Sequence, residues 1–299
     1  MICNICPRTC NIDRSSAQGF CGESETLRVA RIAPHHFEEP PISGTRGSGT
    51  VFFSGCSLKC VFCQNKVISR DGGLGKQLSA DELYEKILEL AESGVHNINL
   101  VTPTHFIGVL LPILERLKSS GELRIPIVYN SSGYERVESL RSLDGLVDIY
   151  MPDFKYASGE LAERYSAAPD YPEVAEAAIR EMIRQRGRYR YSTDEPEILE
   201  SGVLVRHLVL PSHRADSIEV LHRLRAIADP EDILISLMSQ YTPDFALDTP
   251  YKNLHRRLTS FEYTAVCREA DSLGFVGFEQ QRDSSSAKYT PPFDKEGKI

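Results

Sequence analysis

From about residue 50 onward the sequence alternates short aliphatic runs with segments of helical period, and this alternation constrains the fold more than any other feature. The runs are TVFFSG at 50–55, NINLV at 97–101, PIVYN at 126–130, VDIYM at 147–151, VLVRHLVL at 203–210 and ILISLM at 233–238. Helix-period segments fall at 78–94, 106–119, 134–142, 172–187, 214–228 and 259–273. The first of them carries its own punctuation: Ser79 as N-cap, Glu82 completing a capping box, and Gly94 as the stop. Strand then helix, repeated, means parallel strands joined by right-handed crossovers. Six such units predict an α/β chain folded as a partial (β/α)6 barrel rather than a closed eight-stranded one; a flat doubly wound sheet has the same periodicity.

The C-terminal ends of parallel strands are where α/β enzymes place their chemistry. Here the six ends read GCSLKC, TPTH, NSSG, PDFK, PSHR and SQYTP, every one polar or thiol-bearing. Pro103, Pro152 and Pro211 stand where ladder pairing should stop. Any one of these ends is an ordinary loop by itself; six on one rim make a site.

Charge and cysteine usage narrow the chemistry. A formal net charge of −8 argues against a large nucleic-acid footprint, which needs clustered Lys and Arg in excess. The densest basic run, REMIRQRGRYR at 180–190, reads as a solvated helix end with arginines at the C-terminal dipole. No uncharged apolar stretch reaches about 18 residues, and MICNICPRTC does not read as an export signal, so a cytoplasmic protein with no membrane segment is expected. Eight cysteines in such a chain point to metal rather than to disulfides.

Their distribution is informative. SGCSLKCVFCQN packs Cys56, Cys60 and Cys63 into one loop after the first strand and offers no fourth thiol. Three thiolates hold either zinc completed by a distant ligand or an iron–sulfur cluster with one iron uncovered. Cys3, Cys6, Cys10 and Cys21 supply four more thiolates, enough to close a second metal site; zinc is the default, and an auxiliary iron–sulfur cluster is the alternative. Cys267, in the apolar helical pattern FEYTAVCREADSLGF, is expected to be a buried structural thiol.

The CxxxCxxC spacing with Phe62 before the last cysteine resembles the cluster loop of the radical S-adenosylmethionine (SAM) superfamily. Along most of the chain the resemblance is to the branch of pyruvate formate-lyase activating enzymes and their uncharacterised iron–sulfur homologues. It implies a [4Fe-4S] cluster on Cys56, Cys60 and Cys63, and SAM chelating the fourth iron. It further implies reductive SAM cleavage to a 5′-deoxyadenosyl radical that abstracts hydrogen, with the electron from a reductant such as flavodoxin or ferredoxin. The substrate would be a glycyl radical enzyme, another macromolecule or a small molecule.

Residue by residue, the implied cofactor contacts join Phe62 to the strand ends. NLVTPTH takes the place of the family's Gly-Gly-Glu segment without its glycines or glutamate, leaving Thr102 and Thr104 to offer oxygens. NSSG stands at the ribose segment, with Asn130 and Ser132 keeping hydrogen-bonding capacity. MPDFK matches Met-x-Asp-x-Lys, giving Asp153 and Lys155 either to a cofactor carboxylate or substrate backbone or to a plain ion pair. VRHLVLPS places Arg206 on a rigid strand, suited to grip a carboxylate bidentately. LMSQYTP brings Met238 and Gln240 to the adenine and methionine. A different class, a non-catalytic zinc-binding module on an α/β scaffold, would leave the polar strand ends unexplained.

Between the two thiol groups, APHHFEEPPISGTRGSG carries His35, His36, Glu38 and Glu39, which read as hydrogen-bonding loop residues rather than as a metal constellation. The tail DSSSAKYTPPFDKEGKI is expected to be disordered or a strap across the barrel mouth. Three parts follow: a cysteine-rich extension at 1–49, the barrel at 50–280 and the tail at 281–299.

Overall fold

The computed structural model describes residues 2–70, 74–280 and Phe293. Ten strands form its framework: β1 (Arg28–His35), β2 (Ser48–Phe53), β3 (Lys76–Gln77), β4 (Ile98–Val101), β5 (Ile127–Ser131), β6 (Ile149–Pro152), β7 (Arg190–Tyr191), β8 (Leu199–Leu208), β9 (Ile233–Met238) and β10 (Gly277–Glu279). The helices are α1 (Pro40–Ser43), α2 (Lys66–Ser69), α3 (Ala80–Glu92), α4 (Ile107–Ser120), α5 (Val137–Arg141), α6 (Gly159–Ser166), α7 (Tyr171–Arg186), α8 (Arg214–Ile227) and α9 (Ser260–Ser272).

The sheet runs β10-β9-β8-β6-β5-β4-β2-β1-β3, with β7 beside β8. From β2 to β10 along this order the pairings are parallel; β1, β3 and β7 pair antiparallel. This is a mostly parallel α/β sheet, open between its edge strands β10 and β3 among the described residues. The six aliphatic runs are all strands, and a seventh parallel strand, β10, joins β9. Three residues are too few for periodicity to reveal, so β10 is legible only in its pairing. The antiparallel β1 and the helix α6 also lie outside the predicted elements. Residues 28–35, placed by the sequence in the extension, form a strand of the main sheet.

Local rules explain the helices. Glu82 N–H donates to Ser79 Oγ at 3.2 Å and Ser79 N–H donates to Glu82 Oε2 at 2.8 Å, the expected capping box of α3. Thr259 and Glu262 repeat the device at α9. The basic run at 180–190 begins in α7, whose last turn carries Arg184 and Arg186. Cys267 is buried in the core on α9, as expected. No helix among the described residues is long and apolar enough to cross a membrane.

Strand alternation separates two cores. One side, with Leu100, Tyr129, Tyr150, Val203 and Val205, packs on the helices through Leu83, Leu110, Leu114 and Ile179. On the other side Val128, Ile149, Met151, Leu204 and Leu234 close around Ile42, delivered by α1. Two residues further along these strands stand Asn130, Asp153, Arg206 and Ser236, on the same face. An apolar plug thus lies beneath a polar layer inside the partial barrel. Of the tail at 283–299, only Phe293 is among the described residues; its ring meets that of Phe52 edge-on at 5.4 Å.

Candidate active site

β2 ends at Phe53, and the chain turns through Ser54 and Gly55 into the cysteine loop. Gly55 has φ +81°, and a Cβ there would lie 2.7 Å from the Cys21 carbonyl oxygen and from Glu23 Cγ, so only glycine fits. The loop then passes Cys56, Cys60 and Cys63 and ends in the short α2. All three cysteines line one cavity of about 180 Å³ at the C-terminal ends of the strands.

The other walls come from the polar strand ends. Phe62, Thr102, Asn130, Ser132, Asp153, Lys155, Arg206, Met238 and Gln240 all line this cavity, so the predicted rim residues converge with one exception. The exception is Thr104. A single 3₁₀ turn over Thr104–Phe106 carries its hydroxyl away from the cavity, to donate to Glu135 Oε1 at 2.6 Å. Thr102 is held at φ +60°, a strained conformation for a β-branched residue, with its N–H donating to the Asn130 carbonyl at 2.8 Å. The Phe62 ring is packed by Tyr156, Tyr165 and Tyr241, centroids 6.2–6.5 Å away.

The polar wall is a charge network. Asp153 and Arg206 bridge side by side on adjacent parallel strands, and Arg206 Nε donates to Asp153 Oδ1 at 3.0 Å. Lys155 Nζ donates to the other carboxylate oxygen. Arg206 Nη2 donates to Asn130 Oδ1 at 2.7 Å and Nη1 to Glu38 Oε2 at 3.3 Å. The guanidinium is therefore taken up by the protein's own acceptors, and Arg206 is the hub of the wall. Burial works to raise the Asp153 carboxyl, but Lys155 and Arg206 outweigh it and hold it below the usual range. Burial likewise opposes the charge of Lys155, which Asp153 more than restores.

Glu38 is a residue whose place the sequence concealed. It arrives from the connector ahead of α1 and also accepts from Asn99 Nδ2 at 3.3 Å. Nothing in its local pattern marks it; only the docking of the connector inside the sheet does. Glu39 lies beside it, 3.8 Å from Arg206 Nη1, and burial raises both carboxyls.

The N-terminal thiols sit behind the cysteine loop. Cys3, Cys6 and Cys21 are buried and Cys10 half-buried, all free. Cys10 and Cys21 flank Gly19, each sulfur 3.5 Å from where its Cβ would be, and Phe20 N–H donates to Cys10 Sγ at 3.4 Å. Residues 2–27 form no helix or ladder, only the bridge Ile2↔Asp13. What binds them to the barrel is explicit: Cys56 N–H donates to the Cys21 carbonyl at 3.2 Å. Arg8 donates to the carbonyls of Ser57 at 2.7 Å, Ser166 at 2.8 Å and Ala167. Among the described residues no three His, Cys, Asp or Glu side chains form a ready-made metal cage.

The triplet nonetheless suits an iron–sulfur group by the chemistry around its sulfurs. Each accepts a hydrogen bond: Cys56 Sγ from Leu58 N–H at 3.4 Å, Cys60 Sγ from Ser166 Oγ at 3.0 Å, and Cys63 Sγ from Ser69 Oγ at 3.4 Å. Donors aimed at sulfur match a thiolate that has given up its proton. Without a cation, burial pushes the Cys56 thiol up to about 12 and raises Cys63 as well.

Fold and site together define an α/β partial-barrel enzyme with a three-cysteine loop at the mouth. Residues 50–195 match the Radical SAM superfamily. An uncharacterized protein of Methanocaldococcus jannaschii is 30% identical over 262 residues, spanning 86% of this chain and 70% of the relative. The chain belongs to the radical SAM superfamily, whose members are enzymes that use a [4Fe-4S] cluster and SAM. A putative glycyl-radical enzyme activating enzyme of Haemophilus influenzae is 30% identical over 121 residues, 38% of this chain and 45% of that protein. Among solved structures, a radical SAM methyltransferase from Sphaerobacter thermophilus shares the fold, with TM-score 0.52 and 17% identity over 80% of this chain and 69% of its own.

Proposed function

We propose that Cys56, Cys60 and Cys63 hold the [4Fe-4S] cluster and that the rim facing them binds SAM, so that the enzyme abstracts hydrogen from its substrate. The observation that carries this reading is the convergence of three thiols and the Asp153–Lys155–Arg206 network on one cavity. When bound, the two cofactors supply a hydrogen-abstracting radical. The chain supplies the rest. Asn130 and Ser132 offer hydrogen-bonding groups to a ribose, and Met238 and Gln240 face an adenine or methionine. Lys155, with one partner in Asp153, has donors to spare for a carboxylate. Phe62 and its tyrosines keep water from the thiols.

The substrate in this reading is a partner protein in which a glycyl radical is installed, supported by the partial match to a putative activating enzyme. The electron comes from a small redox protein of the flavodoxin or ferredoxin kind. A second reading, a small-molecule substrate, is favoured by the wall that follows β9. There Tyr241, Thr242 and Phe245 line the cavity, and Tyr241 OH donates to the Leu254 carbonyl at 2.6 Å. We further propose that Cys3, Cys6, Cys10 and Cys21 close a second metal site, zinc or an auxiliary cluster, because residues 2–27 have no ladder or helix of their own to hold them.

The test is iron, sulfide and zinc content with electron paramagnetic resonance on anaerobically reconstituted, reduced protein, with and without SAM. A reduced-cluster signal that changes on adding SAM and is lost in Cys56→Ala/Cys60→Ala/Cys63→Ala is expected. Zinc alone, with no such signal, would sink the reading. A glycyl radical signal on incubation with candidate partner enzymes then separates the two substrates.

A further inference from the structure

Two of the three triplet sulfurs accept from serine hydroxyls, and one of those serines lies beside a further hydroxyl. Ser166, the last residue of α6, lies 3.0 Å from Cys60 Sγ and 2.8 Å from Tyr156 OH. Tyr156, Ser166 and Cys60 are all at least nine-tenths buried. A serine hydroxyl has one proton. A metal-bound sulfur has none and can only accept, so Ser166 donates to Cys60, and the Tyr156 proton goes to one of two acceptors, Ser166 Oγ or the Cys60 sulfur itself.

We propose that Ser166, backed by Tyr156, is a positioning residue that sets the reduction potential of the cluster on Cys60. This rests on the reading that Cys56, Cys60 and Cys63 hold the cluster. Reduction adds one electron, taken from the external reductant, and the extra negative charge spreads onto the sulfurs. A hydroxyl aimed at one of them stabilises the reduced form more than the oxidised; no bond is made or broken and the proton stays on Ser166 Oγ. Tyr156 adds to this by either route: donating to Ser166 it polarises that hydroxyl, and donating to Cys60 it places a second proton on the same sulfur.

The placement is braced from several sides. The Ser166 carbonyl accepts from Arg8 Nη2 at 2.8 Å, and the neighbouring Tyr165 carbonyl accepts from Val61 N–H within the cysteine loop at 2.9 Å. The end of α6 and the loop therefore move as one piece. Ser69, at 3.4 Å from Cys63 Sγ, is the weaker counterpart on a longer bond and has no second hydroxyl behind it in α2.

The experiment is a redox titration followed by electron paramagnetic resonance on full-length, anaerobically reconstituted protein without SAM, alongside iron content. The signal of Cys56→Ala/Cys60→Ala/Cys63→Ala is subtracted to remove any second cluster. Ser166→Ala is expected to weaken reduction about tenfold, which for a one-electron couple is about 59 mV more negative. Tyr156→Phe and Ser69→Ala should shift it the same way by less, and Ser166→Thr, which keeps the hydroxyl, should restore it. An unchanged potential in Ser166→Ala at full iron content overturns the proposal. Should Ser166→Ala fail to retain iron, Tyr156→Phe decides, since it leaves the serine in place: a negative shift supports the proposal and none overturns it. Wild type without a reducible cluster would instead defeat the underlying assignment, an outcome separable from all of these.

Discussion

The two thiol groups are built in opposite ways. The triplet hangs between regular elements, β2 on one side and α2 on the other, and its sulfurs face a cavity. The quartet lies in residues 2–27, which have neither helix nor ladder and are joined to the barrel by scattered bonds, among them those of Arg8, those from Arg136 and Ser139 to the Asn4 and Ile5 carbonyls, and that from Cys56 N–H to the Cys21 carbonyl. A site meant to exchange ligands needs a frame that stands without metal; a site meant to hold its own segment together does not. The difference fits the proposed roles, reactivity at the triplet and support at the quartet.

This contrast can be broken most directly by substitution. Cys6→Ser/Cys10→Ser should cost several kcal/mol of stability, the scale of a lost structural metal, and expose residues 2–27 to protease. Cys56→Ala/Cys60→Ala should leave the melting temperature of the apo protein within a few degrees, because the strand and helix on either side remain. Equal losses in thermal denaturation would erase the distinction.

The wall opposite the triplet is next. Arg206→Met leaves Asp153 and Glu38 without their shared guanidinium, and about 3–5 kcal/mol should be lost in urea unfolding. A loss under about 1 kcal/mol would mean that Lys155 alone balances Asp153. Gly55→Ala sharpens the link between the two thiol groups: at φ +81° it costs about 1–2 kcal/mol in strain and pushes against the Cys21 carbonyl. Iron retention should therefore fall along with stability.

The smallest effect is a pH dependence. Glu135, buried and accepting from Thr104, has its carboxyl raised to about 7 by burial. A raised carboxyl contributes stability that is complete below its unfolded value near 4.5 and is lost as pH rises through about 7. His105 and His207 oppose it: burial lowers both to about 4, so their contribution is lost as pH falls from about 6.5 toward 4. Only the difference between wild type and Glu135→Gln isolates the carboxylate. Wild type should lose stability relative to the variant between pH 5 and 8, as read in melting curves; a constant gap would mean that Glu135 titrates in the folded protein as it does in the unfolded chain.

The sequence disclosed the frame and most of the rim, for a physical reason. Strands buried on both faces must be aliphatic, helices that cover them must show a period, and ends that face a cavity must be polar; each leaves a local trace. Thr104 belongs to the rim by its spacing, but one 3₁₀ turn carries its hydroxyl to Glu135, a rotation of a single loop that no spacing encodes. The sequence places Arg206 on a rigid strand suited to grip a carboxylate, but its partners Glu38 and Asn130 come from separate elements, 168 and 76 residues away along the chain. Ser166 is an ordinary helix-end serine until α6 docks on the cysteine loop. Contacts made by docking leave no periodic trace.

The bonds from Arg8 to the carbonyls of Ser166 and Ala167 also set a clock. They join residues 158 and 159 apart in sequence, so the seat of the amino-terminal segment, begun by Ser57, Arg136 and Ser139, is complete only when α6 has left the ribosome. At about 5–20 residues per second, that leaves roughly 8–30 s during which the quartet waits for the last part of its seat. Four unshielded thiols in a nascent chain are a target for oxidants and for whatever metal is abundant. If the quartet takes a metal, the timing of synthesis therefore bears on its choice as much as the affinity of the finished fold does.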